Sequence, residues 1–278
     1  MELRMPSPRI VLVWALCALA ATACRSVPAT TGAASGARLP AILARGELRV
    51  GLTGEQAPLN MRTPGGGLAG LEVDLANALA QSMGVRARFV ELPFAELLPA
   101  LERGDVDLVA SGVTITPERN ARVAFAGPYF VTGTAILSRD AALAEAEHGP
   151  ALDAPGRRYV ALAGSTSESF VREWLPQAQL QSVPDYESAV RMVIDGKADA
   201  MVGDFLACAM AVWRHPEAGL VPPSSPLTAE PIGVAIAAGD PLLVNLVENY
   251  LDTLEQTGLL TQLKARWLSD GAWLRELR

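Results

Sequence analysis

Cysteine is scarce in this chain, and its placement excludes an internal disulfide framework. The sequence of 278 residues contains 3 cysteines, of which Cys17 and Cys24 lie in the N-terminal segment. Cys208 therefore has no second thiol to pair with, and the fold must depend on its hydrophobic core. Because residues 206–210 around it are otherwise apolar, Cys208 is predicted to be a small buried hydrophobic residue.

Histidine and positive charge are also scarce. His148 and His215 are the only histidines, and both stand beside prolines or acids in predicted loops. Zinc ligation and Ser-His-Asp catalysis therefore have little material, and we expect no metal and no cofactor. Lysine and arginine together number 23 against 30 acidic residues, a net charge of −7, which argues against nucleic acid as a partner.

A glycine-rich stretch, GGGLAG at residues 65–70, has the spacing of a dinucleotide-binding fingerprint. It follows Pro64 and a polar loop, whereas that fingerprint follows a strand. The stretch is therefore predicted to be a turn.

The N-terminus lacks an apolar run long enough to span a bilayer. Residues 10–21 are apolar, but a transmembrane helix needs about 20 such residues. With Arg4 and Arg9 before the run, residues 1–23 are predicted to be a secretory signal peptide. Cys24 then stands as in a bacterial lipoprotein box, which predicts a lipidated N-terminus, although ordinary cleavage after Ala23 is the alternative. The small residues that follow predict a flexible tether over 24–38.

The rest of the chain alternates predicted strands and helices, which indicates an α/β fold. In the first half, strands are predicted at 47–53, 87–92 and 106–110, with helices at 72–83 and 95–103. In the second half, strands are predicted at 159–162, 179–183 and 200–202, with helices at 167–174, 186–195 and 205–214. A last amphipathic helix is predicted at 241–257 with Asp240 as its cap. Each βαβαβ run predicts a parallel sheet covered on both faces.

The segment SGVTITPER at residues 111–119 combines features of a carboxylate-binding site. It follows the predicted strand 106–110, and Thr116 and Pro117 suit the N-cap and first position of a short helix. Arg119 falls in the first turn of that helix, close to backbone N–H groups without intrahelical partners. A hydroxyl, free amides and a guanidinium together can bind a carboxylate. The alternative is that Arg119 only pairs with Glu118 or a surface acid.

Six motifs in fixed order give the chain a specific resemblance. They are GLTG (51–54), GLEVDL (70–75), LLPAL (97–101), FAGPY (125–129), GSTSE (164–168) and DGKADA (195–200). Together they resemble the family 3 extracellular solute-binding proteins of ABC transporters, in the polar amino-acid group, over residues 39–268.

The resemblance implies a periplasmic binding protein type 2 fold, in which two Rossmann-like lobes are joined by a double crossover hinge. Residues 39–133 and 230–278 would form lobe 1, and residues 134–229 would form lobe 2. The protein would be an exported monomer at the periplasm or outer face of the cell membrane, contacting the membrane through its lipid. Its partners would be an amino-acid-like ligand and an ABC permease.

The resemblance also implies a set of ligand contacts. The family's carboxylate contacts match Thr114, Arg119 and Thr166, its ammonium contacts match Gly112 or the neighbouring Ser111, and Asp204, and its aromatic contact matches Phe94. Ser165 precedes Thr166 at a predicted helix start, where hydroxyls and free N–H groups also suit a carboxylate.

Each of these positions also has a purely structural interpretation. Asp204 suits a helix N-cap, Ser165 and Glu168 suit a capping box, and Phe94 suits the core. Arg119 and Asp204 would nevertheless face each other across the cleft, because ligands of open α/β sheets bind beyond the carboxyl ends of the strands.

Departures from the family pattern bear on the ligand. Gln56 replaces an aromatic residue of the usual sandwich, Thr53 replaces an acid common in members that bind basic amino acids, and Ala163 replaces a lysine of some glutamine binders. A basic ligand is therefore disfavoured, and a small or neutral polar ligand is favoured.

An enzyme on the same fold is the alternative function. Cyclohexadienyl dehydratases retain the carboxylate-binding arginine, and Glu168 matches their general acid within GSTSE (164–168). A buried carboxyl beside a helix N-terminus could protonate a departing hydroxyl. Pro117 and Asn120 depart from the dehydratase pattern, which favours a binding protein without catalytic residues.

Overall fold

The computed structural model describes residues 37–146, 152–271 and 273–274. Its helices are α1 (Arg38–Arg45), α2 (Leu71–Ser82), α3 (Phe94–Arg103), α4 (Pro117–Asn120), α5 (Ala141–Ala144), α6 (Thr166–Trp174), α7 (Tyr186–Ile194), α8 (Phe205–Arg214), α9 (Pro241–Gln256) and α10 (Leu259–Lys264). Its strands are β1 (Glu47–Leu52), β2 (Glu55–Gln56), β3 (Asn60–Arg62), β4 (Leu68–Ala69), β5 (Arg86–Glu91), β6 (Leu108–Val109), β7 (Val123–Thr132), β8 (Thr134–Ser138), β9 (Arg158–Leu162), β10 (Gln179–Val183), β11 (Ala200–Asp204) and β12 (Glu230–Ala237).

The N-terminal predictions fall largely outside the described residues. The predicted signal peptide 1–23, Cys24 and the predicted tether up to residue 36 all lie there, as does His148. The predicted tether extends to residue 38, whereas α1 already begins at Arg38. No helix of the described segments combines the length and apolar character that a membrane crossing requires.

The first main sheet has five strands in the order β5-β1-β6-β12-β7. Strands β5, β1 and β6 are parallel, as predicted, but β12 runs antiparallel to both β6 and β7. The predicted parallel sheet is confirmed for β5, β1 and β6, and β12 and β7, which were not predicted as strands, add antiparallel pairings. The physical reason is that β12 returns from the second sheet instead of arriving through a helix on the same sheet.

The second main sheet has four strands in the order β10-β9-β11-β8. Strands β10, β9 and β11 are parallel, and β8 pairs antiparallel with β11. Helices α6 to α8 contact this sheet, and separate apolar clusters lie beside each sheet. The α/β fold class predicted from the sequence is confirmed.

The chain crosses between the two sheets at two adjacent places. It passes from β7 to β8 through Gly133 and returns along Thr228 into β12. A Cβ atom on Gly133 would lie 1.9 Å from the carbonyl oxygen of Thr228, so only glycine permits this approach of the two crossings. The crossings therefore lie side by side.

Strand β6 is shorter than the predicted strand 106–110. Its neighbours β1 and β12 each pair with it only at Leu108 and Val109. Beyond Val109 the chain turns at Gly112, whose φ of +58° favours glycine. Because β6 is short, the predicted binding segment begins directly at the carboxyl end of this strand.

Candidate ligand-binding site

The loop that follows β6 is fixed by hydrogen bonds to buried polar groups. Ser111 is fully buried, and its hydroxyl accepts from the Thr53 amide at 3.0 Å and donates to Gln56 Oε1 at 2.8 Å. The Gly112 amide donates to Glu72 Oε1 at 2.6 Å. Because Glu72 is also completely buried, these contacts fix the loop against the sheet.

The buried Glu72 is itself a consequence of the GLEVDL motif. Burial raises its pKa, and hydrogen bonds from the Gly112 amide, Tyr129 and Asn60 oppose that rise. The Asn60 side-chain amide donates to Glu72 Oε2 at 2.6 Å. Glu72 therefore connects α2 to the candidate site without reaching its surface.

The short helix α4 places Arg119 as the sequence predicts. Thr116 caps the helix, since its hydroxyl accepts from the Arg119 amide at 3.2 Å, and Pro117 takes the first helical position. The Arg119 guanidinium donates to the carbonyls of Thr114 at 3.0 Å and Gly164 at 2.9 Å. Arg119 therefore links the first sheet to the loop that follows β9.

The loop after β9 begins α6 with a hydroxyl cap. Ser165 Oγ accepts from the Glu168 amide at 3.1 Å and donates to the Leu162 carbonyl at 2.7 Å. The Glu168 carboxylate accepts from the Gly164 amide at 2.7 Å and not from the Ser165 amide that a capping box would use. The predicted cap is confirmed, and its reciprocal half is shifted by one residue.

Asp204 caps a helix and also lines a cavity. Its carboxylate caps α8 by accepting from the Leu206 amide at 2.8 Å, and it also lines a cavity between the sheets. Burial, with a smaller contribution from the charge of Glu230, raises the pKa of Asp204 from 3.8 to about 6 against hydrogen bonds that lower it. Cys208 lies fully buried within the same helix, as predicted.

We call the space between the two sheets the central cavity. It is lined by Gln56, Ala57, Leu59, Phe94, Gly112, Thr114, Ser165, Thr166, Ser167, Tyr186, Asp204, Leu206, Ala207 and Glu230. Its volume is about 20 Å³. Because a water molecule needs about 10–15 Å³ by the same measure, the cavity has room for about one water.

Most of the predicted contact residues meet at this cavity. Phe94, Gly112, Thr114, Ser165, Thr166 and Asp204 all line it, and the hydroxyls of Thr114 and Thr166 lie 3.5 Å apart. Ser111 lies beneath the lining and acts on it through Gln56.

Arg119 does not line the central cavity and lies behind residues that do. It lines a separate outer groove of about 600 Å³ together with Phe94, Gly164, Thr166 and Glu168. Its guanidinium carbon is 5.8 Å from the centre of the Phe94 ring, within the range of a cation–π contact. The expectation that Arg119 faces Asp204 directly across one cleft is therefore corrected, because the backbone carbonyls of Thr114 and Gly164 hold the guanidinium aside.

Two titratable lining residues, Tyr186 and Glu230, were missed by the sequence reasoning. Glu230 was identified only as the start of a crossing, and Tyr186 only as the start of a helix. Tyr186 is part-buried, its pKa is raised well above the ordinary value by burial, and its hydroxyl lies 3.5 Å from the Asp204 amide. A single acid at the first residue of a crossing strand was the available signal for Glu230.

Within the described part of the chain, no group of three or more histidine, cysteine or acidic side chains could hold a metal ion. The carboxylates near the cavity are instead held by hydroxyls, amides and arginines.

The comparison with protein families identifies the fold's relatives. Residues 48–270 match the model for bacterial extracellular solute-binding proteins, family 3. The chain belongs to this family. Cyclohexadienyl dehydratase of Pseudomonas aeruginosa is 32% identical over 264 residues, which cover 95% of this chain and 96% of that protein. The L-arginine-binding protein of the same organism is 29% identical over 240 residues, which cover 83% of this chain and 91% of that protein.

A solved structure extends the likeness to three dimensions. The putative binding component of an ABC transporter from Wolinella succinogenes, complexed with lysine, aligns with a TM-score of 0.76 and 34% identity. The alignment covers 83% of this chain and 99% of that chain. Because family 3 relatives of similar identity include both an enzyme and binding proteins, the choice between these functions depends on the residues of the site.

Proposed function

We propose that this protein is the substrate-binding component of an ABC importer and captures an amino acid or a similar small zwitterion. In this proposal, residues 39–133 and 230–278 form lobe 1, and residues 134–229 form lobe 2. The protein is an exported monomer that delivers its ligand to a permease and uses no cofactor.

The observation that carries the proposal is the distribution of groups around the central cavity. Asp204 offers a carboxylate from one sheet, and the hydroxyls of Thr114 and Thr166 offer donors from both. Arg119 supplies positive charge directly behind Thr114. A zwitterion needs donors for its carboxylate and an acceptor for its ammonium, and the cavity wall has both.

The energetics of these groups are sufficient for the proposed role. A hydrogen bond that involves a charged group contributes about 1.5–3 kcal/mol once water is excluded. A few such bonds, less the cost of ordering the ligand, reach about −8 kcal/mol, which corresponds to micromolar affinity.

Ligand capture requires the two sheets to move apart. The central cavity of about 20 Å³ cannot hold an amino acid as it stands. The adjacent crossings at Gly133 and Thr228 are the chain's only described connections between the sheets, so they are where a hinge must bend. Contacts from both sheets to one ligand would then favour the closed state.

The ligand class is tested best with a broad panel. Thr53 stands where members that bind basic amino acids often carry an acid, which disfavours a basic ligand. The relatives nevertheless include an arginine-binding protein and a structure complexed with lysine. Both neutral and basic amino acids therefore belong in the panel.

The dehydratase alternative is supported by the relative that is 32% identical. Glu168 is poorly suited to be its general acid. Burial alone would raise the pKa of Glu168, but hydrogen bonds from Ser182, Arg172 and the Gly164 amide lower it below its ordinary value. Asp204, with its pKa raised to about 6, is the cavity carboxyl that could hold a proton near neutral pH.

Calorimetric titration against the proteinogenic L-amino acids tests the proposed function, with prephenate and arogenate turnover measured in parallel. Heat of binding from one or a few amino acids, without turnover, is the expected result. Turnover with no amino-acid binding would favour the dehydratase, and its loss in Asp204→Asn but not in Glu168→Gln would identify the acid.

The lipid anchor is proposed from the sequence alone, since Cys24 lies outside the described residues. We expect Cys24→Ala to abolish incorporation of labelled fatty acid and to release the protein from membranes. Unchanged labelling would contradict the anchor and leave ordinary cleavage after Ala23.

A further inference from the structure

The carboxylate of Glu230 is held by four threonine hydroxyls. Thr134 and Thr228 donate to its Oε1 at 2.7 and 3.0 Å. Thr114 and Thr166 donate to its Oε2 at 2.7 and 2.6 Å. One oxygen is therefore bound by the crossings between the sheets, and the other is bound by hydroxyls that line the central cavity.

Glu230 is ionised in this setting. Burial would raise the pKa of its carboxyl, but the hydrogen bonds from the threonine hydroxyls outweigh burial and lower the pKa below its ordinary value. The charge of Glu230 also acts on its neighbours. Burial lowers the pKa of Arg119, and Glu230 partly offsets that effect; Glu230 also raises the pKa of Asp204. The charge of Glu230 thus affects both the cation and the acid of the proposed site.

The Glu230 carboxylate accepts hydrogen bonds from the same hydroxyls that a ligand carboxylate would need. Thr114 and Thr166 each have one hydroxyl proton to donate, and Glu230 accepts both. The guanidinium donors of Arg119 that the structure shows engaged point to backbone carbonyls. With Glu230 in place the central cavity retains room for about one water.

We propose that Glu230 is an internal carboxylate that fills the anion subsite of Thr114 and Thr166 and competes with the carboxylate of the ligand. The inference rests on the proposed function and adds to it a residue that sets affinity and selectivity. A ligand with a carboxylate must displace Glu230 from these hydroxyls, whereas an amine without a carboxylate leaves Glu230 in place. A ligand with a carboxylate gains those hydroxyls in exchange, whereas an amine without a carboxylate does not.

Two variants weaken the internal carboxylate in different ways. Glu230→Gln keeps the shape of the side chain but removes its charge and one of its acceptor oxygens. Thr134→Val is nearly isosteric and removes a donor to Oε1, while Thr134 is not part of the cavity lining. Thr134→Val therefore loosens Glu230 without altering a proposed ligand contact. Glu118→Gln is the matched control, because Glu118 is an exposed acid whose charge also acts on Arg119.

The experiment is calorimetric titration of wild type and the three variants with each proteinogenic L-amino acid. The amino acid that binds tightest is then compared with its decarboxylated amine. Glu230→Gln is expected to tighten amino-acid binding about tenfold, equivalent to about 1.4 kcal/mol. Thr134→Val should tighten it by less, and Glu118→Gln should leave it unchanged. The amine should gain nothing from Glu230→Gln or from Thr134→Val.

The outcomes separate this inference from the proposed function. If the amino-acid affinity of Glu230→Gln and of Thr134→Val is equal to or weaker than that of wild type, the competition is overturned while the receptor function stands. Glu230 then binds the ligand's ammonium or has a structural role. Tightening that is equal for the amine also overturns it. No amino-acid binding by any of the proteins overturns both proposals. Thermal unfolding checks that each variant folds, and Thr134→Val alone decides the question if Glu230→Gln does not.

Discussion

Replacement of Asp204 by asparagine should make the unliganded protein more stable and a poorer receptor at the same time. Asparagine keeps the oxygen that caps α8 through the Leu206 amide, so the helix start is preserved. It removes a carboxylate whose charged form is disfavoured by burial, since burial raises the pKa from 3.8 to about 6. The substitution thus separates the cost of the charge from the role of the cap.

The magnitude follows from that shift. A change from 3.8 to about 6 is about 2 pKa units, and about 1.36 kcal/mol per unit gives an upper limit of about 3 kcal/mol. Because the folded pKa is raised above the unfolded value, the stabilisation from protonated Asp204 is fully present below 3.8 and is lost as the pH rises through about 6. At neutral pH, Asp204→Asn should therefore increase the free energy of unfolding.

The assay is urea unfolding of wild type and Asp204→Asn at neutral pH and again below pH 4. The stability difference should be large at neutral pH and small in acid, where both side chains are uncharged. Asp140→Asn is the matched control, because Asp140 is an exposed cap of α5 that accepts from the Ala142 amide. An Asp204→Asn protein that is less stable than wild type at neutral pH would refute the reasoning.

Ligand binding should respond in the opposite direction. An ammonium held by Asp204 needs the ionised carboxylate, so wild-type affinity should fall as the pH drops below about 6. The pH step should be absent from Asp204→Asn, whose affinity should be lower at neutral pH. Calorimetry across this pH range measures both effects.

Three further substitutions test other parts of the site. Arg119→Ala should weaken ligand binding by about 1 kcal/mol, measured by calorimetry, because its charge acts on the cavity from behind Thr114 without direct contact. Arg122→Ala, which removes an exposed arginine of the same outer groove, should not weaken it. Gly133→Ala should cost about 1–3 kcal/mol in urea unfolding, because its Cβ would lie 1.9 Å from a backbone carbonyl, while Gly65→Ala in an open turn should cost little. Glu168→Gln should leave amino-acid affinity unchanged, and a large loss would return this residue to the site.

Local features of the fold were predictable because their causes are local. The caps at Thr116, Ser165 and Asp240 each depend on a side chain and an amide three residues apart. The periodicity of α2 and α9 likewise placed both helices within one residue of their observed bounds. Short-range signals of this kind need no knowledge of the rest of the chain.

The features that were missed depend on contacts between distant parts of the chain. Strands β7 and β12 pair over Val123–Thr132 and Glu230–Ala237, and no local pattern indicates that partner or its antiparallel direction. Glu230 is held by hydroxyls far away in the sequence, at Thr114 and Thr166. Sequence reasoning identified both threonines but assigned their donors to a ligand, because it had no means of placing a third residue beside them.

The orientation of Arg119 shows the same limit at closer range. Its position in α4 follows from the cap at Thr116, which is a local signal. The direction of its guanidinium depends on the carbonyl of Gly164 on the opposite loop, which no local signal in the sequence indicates. The position of Arg119 was therefore predicted correctly, but its hydrogen-bond partners were not.

The central claim is that the cavity between the two sheets binds an amino-acid zwitterion, and calorimetric titration of the wild-type protein with each proteinogenic L-amino acid tests it most directly. We predict saturable one-to-one binding of at least one amino acid with an affinity near micromolar, about −8 kcal/mol. No binding by any of them up to concentrations that would detect a millimolar constant, about −4 kcal/mol, would contradict the claim.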